Sequence, residues 1–363
     1  MTIGATVAPS DNEREATDGL IRPLPRAGLR GWLLIVAARI LARLPEAPLV
    51  AAAEAVGELW YRLTPRRAAQ ARANLGRVCE SLAASGRGHA QARRAATDPE
   101  ALERLVRAAY RHAARYYLEV ARAGGYAIDD ALARIEIETP TEVREALASG
   151  RPIVLVGLHF GAIELPVVLV SHLVGHAVTA PMETVTDPGL QRWFVESRGR
   201  VGVKIIPIVN ARRTMLRALR AGESVGMVAD RDLLGNGFPV PLFGHPAPIP
   251  AGPALLAIEA GVPLYVGTAR RTEGRRYRGR LIQVPAPTTG SRRERVAALT
   301  ASIATAFEAL IADAPEQWWG AFQPIWADLA VRAAGSHAVV PSAETAVTPS
   351  AETPGPPDTE PGS

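Results

Sequence analysis

His159 and Glu164 are the residues whose types and spacing best suit acid–base chemistry. They lie in Pro152-Ile-Val-Leu-Val-Gly-Leu-His159-Phe-Gly-Ala-Ile-Glu164, with four residues between them. A neutral imidazole titrates near physiological pH. A carboxylate on its second nitrogen fixes the tautomer and stabilises the imidazolium. Such a pair can take the proton from a hydroxyl as that hydroxyl attacks a carbonyl. No nucleophilic serine or cysteine stands nearby, so direct attack by an acceptor hydroxyl is expected. The same spacing also fits a structural histidine at a strand end with a solvated glutamate, so the pair alone does not decide between them.

The flanking residues say how the pair is positioned. Ile153 to Val156 is an apolar, β-branched run that reads as a strand buried on both faces. Ile163 to Leu173 is long enough for a helix, and Pro166 falls in its first turn, where a missing N–H costs little. His159 is thus expected at the C-terminal lip of a strand, where ligands meet open α/β sheets. Glu164 is expected to fold back toward the imidazole.

From residue 134 onward short strands and helices alternate. Strands are expected at 134–138, 176–181, 203–209, 224–229, 262–269 and 277–284. Helices are expected at 139–148, 188–199, 211–221, 251–260 and 292–312. The pattern predicts an α/β fold, a mostly parallel central sheet covered by helices on both faces.

A second group of charged residues follows the strand at 224–229. Asp230-Arg231-Asp232 places a cation between two acids, and Asp230 ends a strand as His159 does. Arg231 would bind a phosphate or a developing oxyanion while an aspartate orients it or the acceptor; a structural ion-pair network is the alternative. Gly235-Asn-Gly237 lets the next loop turn tightly. Glu183 and Arg198 bracket a helix, with Arg198 a candidate headgroup contact or a surface ion.

Two other patterns are decoys. Gly222-Glu-Ser-Val-Gly226 has a nucleophile-elbow form but sits between a helix and a strand, the reverse of the required order. His172 and His176 have metal spacing but lack the glutamate of the zinc-protease signature, and no metal is expected.

His159-Phe-Gly-Ala-Ile-Glu164 resembles the His-x4-Asp/Glu motif of glycerolipid and lipid A acyltransferases. Ala229-Asp-Arg-Asp-Leu233, Val240-Pro-Leu-Phe-Gly244 with Pro250-Ala-Gly-Pro-Ala-Leu-Leu-Ala257, and Pro315-Glu-Gln-Trp-Trp319 with Trp326 are similar to blocks of the lipid A late-acyltransferase branch, which includes phosphatidylinositol mannoside acyltransferases. Arg72, Asn74 and Leu75 match a block ahead of that core. The likeness runs from about Arg30 to Asp328.

It implies an O-acyltransferase that moves a fatty acyl group from acyl-CoA or acyl carrier protein, as co-substrate and with no cofactor, to a membrane glycolipid. In that reading His159, oriented by Glu164, is the base. Asp230, Arg231, Asp232, Glu183, Arg198 and Gly161 bind substrate, with amides near Gly161 and Arg231 facing the oxyanion. A lysophosphatidic acid acyltransferase or a non-catalytic lipid-binding protein of the same fold are the alternatives.

Composition agrees with a membrane-facing protein. The chain has 363 residues, 48% of them hydrophobic, and a formal charge of +5. All but one of its 41 cationic residues are arginine, the exception being Lys204. Arginine suits phosphate headgroups, although a genome rich in G and C gives the same bias. No zinc-finger, RNA-binding or helix-turn-helix signature is present, so nucleic acid is not an expected partner. Cys79 is the only cysteine, which excludes an internal disulfide.

Residues 1–20 read as a disordered leader, 21–133 as an N-terminal helical region, 134–330 as the α/β acyltransferase core and 331–363 as a disordered tail. Leu29 to Leu44 is apolar but carries Arg39 and Arg43 and falls short of a span. It reads as an interfacial helix. The helix after it carries Glu54, Glu58 and Arg62 in one narrow polar stripe on an apolar body. The expected location is the cytoplasmic face of the cell membrane, held peripherally or monotopically.

Overall fold

The computed structural model describes residues 28–122, 129, 132–232 and 235–331. The expectations for the leader and for the tail beyond residue 331 fall outside these residues.

The parallel sheet grows from the apolar runs. Strands β1 (Ile135–Ile137), β2 (Val154–Gly157), β3 (Val178–Met182), β4 (Val203–Pro207), β5 (Ser224–Val228), β8 (Leu264–Arg271) and β9 (Tyr277–Val284) form one sheet in the order β1-β9-β8-β2-β5-β3-β4. Every neighbouring pair is parallel except the β8–β9 hairpin. The central strand β2 is buried on both faces through Val154, Leu155 and Val156, as its aliphatic run requires. The intervening helices α6 (Thr141–Ala148), α7 (Glu164–Val174), α8 (Pro188–Gly199), α9 (Ala211–Arg220), α10 (Gly252–Ala260) and α11 (Arg292–Asp313) follow the expected alternation. Among the described residues α11 is the one helix long and apolar enough to cross a membrane. It is instead packed in the core through Leu299, Ile303, Phe307 and Leu310.

One element departs from the sequence reading. Phe238–Leu242 (β6) and His245–Ile249 (β7) form a separate antiparallel ribbon that is absent from the expected strands, despite prolines at 239, 241, 246 and 248. The prolines face one another across the ribbon (Pro239 opposite Pro248, Pro241 opposite Pro246). They occupy its exposed side, while Val240, Leu242, Ala247 and Ile249 are buried. Proline lacks only the N–H, so a two-stranded edge tolerates it at alternate positions.

The N-terminal helices are α1 (Leu29–Arg43), α2 (Glu46–Leu63), α3 (Pro65–Ala84), the short α4 (Ala90–Arg94) and α5 (Pro99–Arg122). Asp98 caps α5 by accepting from the amides of Glu100 and Ala101 at 2.9 and 3.1 Å, as its position before Pro99 predicts. Helix α3 buries one face and leaves Arg66 and Arg67 exposed on the other. Leu75 and Asn74 are fully buried, and the Asn74 amide donates to the carbonyls of Ala321 and Gln323 at 2.8 and 2.7 Å.

Helix α2 is turned inside out relative to an ordinary amphipathic surface helix. Its polar stripe faces α5, where Glu58 meets Arg107 and Arg111 and Glu54 meets Arg115. Gly57 permits the close crossing: a Cβ there would stand 2.7 Å from the Cα of Arg111. The apolar side consequently looks outward, with Val56 60% and Leu63 70% exposed. Helix α1 buries Gly31, Ile35 and Ala38 and leaves Leu29, Leu33, Leu34 and Ile40 exposed.

Candidate active site

Parallel register brings the two charged motifs together. Gly157 of β2 is aligned with Val228 of β5, and the Ala229 amide bonds to the Gly157 carbonyl at 3.1 Å. Two residues beyond each strand end, His159 and Asp230 fall side by side. The His159 Nδ1 lies 2.6 Å from Asp230 Oδ1, and its backbone amide donates to Oδ2 at 3.1 Å. Trp318 completes the carboxylate's shell, donating from Nε1 to Oδ2 at 2.9 Å. On the far side of the ring, Arg231 Nη2 is 3.1 Å from Nε2. A carboxylate at Nδ1 and a guanidinium at Nε2 together require the proton on Nδ1, leaving Nε2 as the acceptor.

Asp230 is buried, at 2% exposure. Burial pushes its carboxyl up, but its interaction with His159 and the hydrogen bonds from His159 and Trp318 outweigh that and hold it below its ordinary value. It therefore stays an acceptor.

Glu164 does not hold the imidazole. It heads α7 and reaches α8 instead, pairing with Arg198 at 2.8 Å. Burial disfavours the charge on Arg198, yet Glu164 more than compensates and raises its pKa above the ordinary value. The reason lies in the turn between His159 and Glu164. Gly161 takes φ +53°, and a Cβ there would come 2.2 Å from the Ala269 carbonyl oxygen. The chain reverses against the end of β8, and α7 leaves in a direction that carries Glu164 away from the ring. The same turn removes the expected oxyanion donors. The amides of Phe160, Gly161 and Ala162 are already bonded, to the carbonyls of Leu158, Gln317 and Ala269 at 2.8, 3.0 and 2.9 Å.

Asp232 is occupied locally as well, accepting from the amides of Gly235 and Gly237 at 3.0 and 2.7 Å, which shapes the loop predicted to turn there. Glu183 is exposed just past β3 and is not hydrogen-bonded to the His159 group. Ser224, in the elbow-like pattern, is fully buried and accepts from the Ile153 amide at 3.2 Å.

The segment after α11 supplies what residue-by-residue reading missed. Phe160 forms a bridge with Trp318, and the Gly320 amide donates to the His159 carbonyl at 3.1 Å. Gln317 uses its side-chain amide to pair with both backbone groups of Arg271 at 2.7 and 2.8 Å, extending the edge of β8. Trp319 meets the His159 ring edge-on at 4.8 Å and stacks on Tyr116 of α5 at 4.8 Å. Tyr116 lines an open cleft of about 690 Å³ with Ile163, Glu164, Leu165, Val168 and Val201. The cleft thus begins two rings from the imidazole. The Trp-Trp pair was visible as a motif, but its contact with Asp230 spans 88 residues and has no local signature.

An α/β sheet that carries an imidazole backed by a carboxylate at its C-terminal edge is chemically competent to deprotonate a hydroxyl. The profile of the family described as bacterial lipid A biosynthesis acyltransferase matches residues 22–326. The chain belongs to that family, and it is an acyltransferase. It is 30% identical over 230 residues to a phosphatidylinositol mannoside acyltransferase of Mycolicibacterium smegmatis, covering 62% of this chain and 73% of that protein. A Mycobacterium tuberculosis protein of the same name is 33% identical over 156 residues, 42% of this chain and 48% of its own length.

Proposed function

We propose that this acyltransferase carries a fatty acyl group from an acyl-CoA or acyl carrier protein thioester to a hydroxyl of a phosphatidylinositol mannoside-like glycolipid at a membrane surface. The observation that carries the mechanism is the Asp230–His159–Arg231 line at the sheet edge. The acceptor O–H gives its proton to Nε2 as the oxygen attacks the thioester carbonyl. The tetrahedral oxyanion collapses with cleavage of the C–S bond, and the imidazolium returns the proton to the leaving thiolate. Asp230 keeps Nδ1 protonated throughout. With the amides of residues 160–162 committed, Arg231 is the donor assigned to the oxyanion. The apolar cleft beginning at Tyr116 is the place for the acyl chain, and Arg198 beside Glu164 stands at its wall.

The acceptor is read from the relatives' names. Purified protein should acylate a phosphatidylinositol mannoside, read by mass spectrometry, with palmitoyl-CoA and an acyl carrier protein thioester supplied in parallel. Acylation of lysophosphatidic acid instead would move the assignment to the glycerolipid enzymes, and the absence of any thioester consumption would favour a lipid-binding protein.

Membrane docking is assigned to the outward apolar faces of α1 and α2. Exposed leucines beside Arg30, Arg39, Arg43 and Arg62 suit an anionic lipid surface. Replacing Leu33, Leu59 and Leu63 together by glutamine should weaken binding to anionic liposomes by roughly 2–4 kcal/mol, with little change in melting temperature, because more than half of each residue is exposed. Unaltered co-sedimentation would place the docking face elsewhere.

A further inference from the structure

Among the described residues Arg231 is held by a neutral nitrogen and not by an acid. Its Nη2 donates to His159 Nε2 at 3.1 Å, and its Nε is buried without a partner. The neighbouring carboxylates are committed elsewhere. Asp230 serves His159 and Trp318, and Asp232 serves the amides of Gly235 and Gly237. A half-buried guanidinium without a carboxylate is poised to exchange its weak partner for an anionic oxygen. While it stays where it is, the lone pair that must accept the substrate proton is occupied, and a second positive charge on the ring is opposed.

We propose that Arg231 caps the base in the free enzyme and is drawn off by a substrate phosphate, so that the base opens only when substrate is bound. The inference rests on His159 acting as the base. The phosphate is that of the acceptor's headgroup, present in transfer and absent in hydrolysis, and it provides the charge-assisted bond that Arg231 lacks. Water is neutral and cannot draw the guanidinium away. The cap thereby biases the enzyme toward acyl transfer and against hydrolysis of the thioester, in which water would give its proton to Nε2, attack the same carbonyl and release the thiol. A guanidinium carries five N–H donors, so Arg231 on the phosphate keeps others for the oxyanion. It is a specificity-determining residue, choosing alcohol over water.

The test compares wild type with Arg231→Gln and His159→Ala, each checked for a native melting curve. With palmitoyl-CoA and no acceptor, Arg231→Gln should hydrolyse thioester faster relative to its own transfer rate. A cap closed about nine-tenths of the time makes that change about tenfold. Equal loss of both activities would overturn the cap, leaving Arg231 as an electrostatic group only. Retention of both activities in folded His159→Ala would instead overturn the general-base reading itself.

A second measurement needs no variant. Diethyl pyrocarbonate modifies an imidazole only through a free lone pair, and peptide mass spectrometry reads the rate at His159. Inorganic pyrophosphate should accelerate labelling in the wild type. Inositol phosphate, which carries the acceptor's headgroup chemistry, should do the same. Acceleration by free coenzyme A would show that the donor alone opens the base and would overturn the discrimination against water, and no acceleration by pyrophosphate or inositol phosphate would sink the proposal.

Discussion

Asp230→Asn should lower acyl transfer by about 10³–10⁴-fold while the protein stays folded. The size follows from which way the new amide must point. Oδ2 of Asp230 accepts from two fixed donors, the His159 backbone amide and Trp318 Nε1. An asparagine satisfies both only with its oxygen at that position, which turns its NH₂ toward the imidazole. Nδ1 must then accept, the ring proton moves to Nε2, and the base has no lone pair for the substrate. Glu164→Gln should cost far less, about tenfold or under and mainly in KM, because Glu164 acts through Arg198 on the cleft and not on the ring. Steady-state kinetics of the two variants, with the imidazole tautomer read by ¹⁵N NMR, separate the two carboxylates. Equal losses would return Glu164 to the role that the His-x4-Glu spacing suggests. Acidification acts on the same group. The Asp230 carboxyl is held below its ordinary value, so its contribution to folding is present above the unfolded aspartate value of about 3.9 and is lost as pH falls through the lower folded value.

Gly161→Ala should be the most damaging single methyl group in the sheet edge, destabilising by about 3 kcal/mol or more. A left-handed backbone disfavours any L side chain, and here the added carbon also meets a backbone oxygen at 2.2 Å. The obstacle is the end of β8, tied on its other side by Gln317, so it cannot yield as a flexible side chain would. Arg271 also donates to the Gly161 carbonyl at 3.1 Å from a buried position. Displacing the turn should therefore lower the melting temperature and misplace His159 together. Gly175→Ala is the control: φ is +73° there but nothing lies within 4 Å of the new carbon, so only the backbone strain remains. Equal melting points for the two variants would show that the contact with Ala269 carries no weight.

The local pattern of residues determined much of this protein. Alternating apolar runs and capped helices specified a mostly parallel sheet, because strand and helix periods and N-caps are set by neighbours in sequence. The same patterns placed His159 and Asp230 each just past a strand end. Tertiary structure decided which carboxylate the imidazole uses. That choice depends on β2 and β5 lying adjacent and in register, across 71 residues, and on one left-handed glycine that sends the nearer glutamate away. It also decided which face of α2 looks outward, since a polar stripe reads as solvent-facing until the arginines of α5 arrive to neutralise it. Spacing along the chain reports only contacts that one element can make with itself. Ion pairs between elements follow from packing, and they selected the partner at the base and left the apolar side of α2 open.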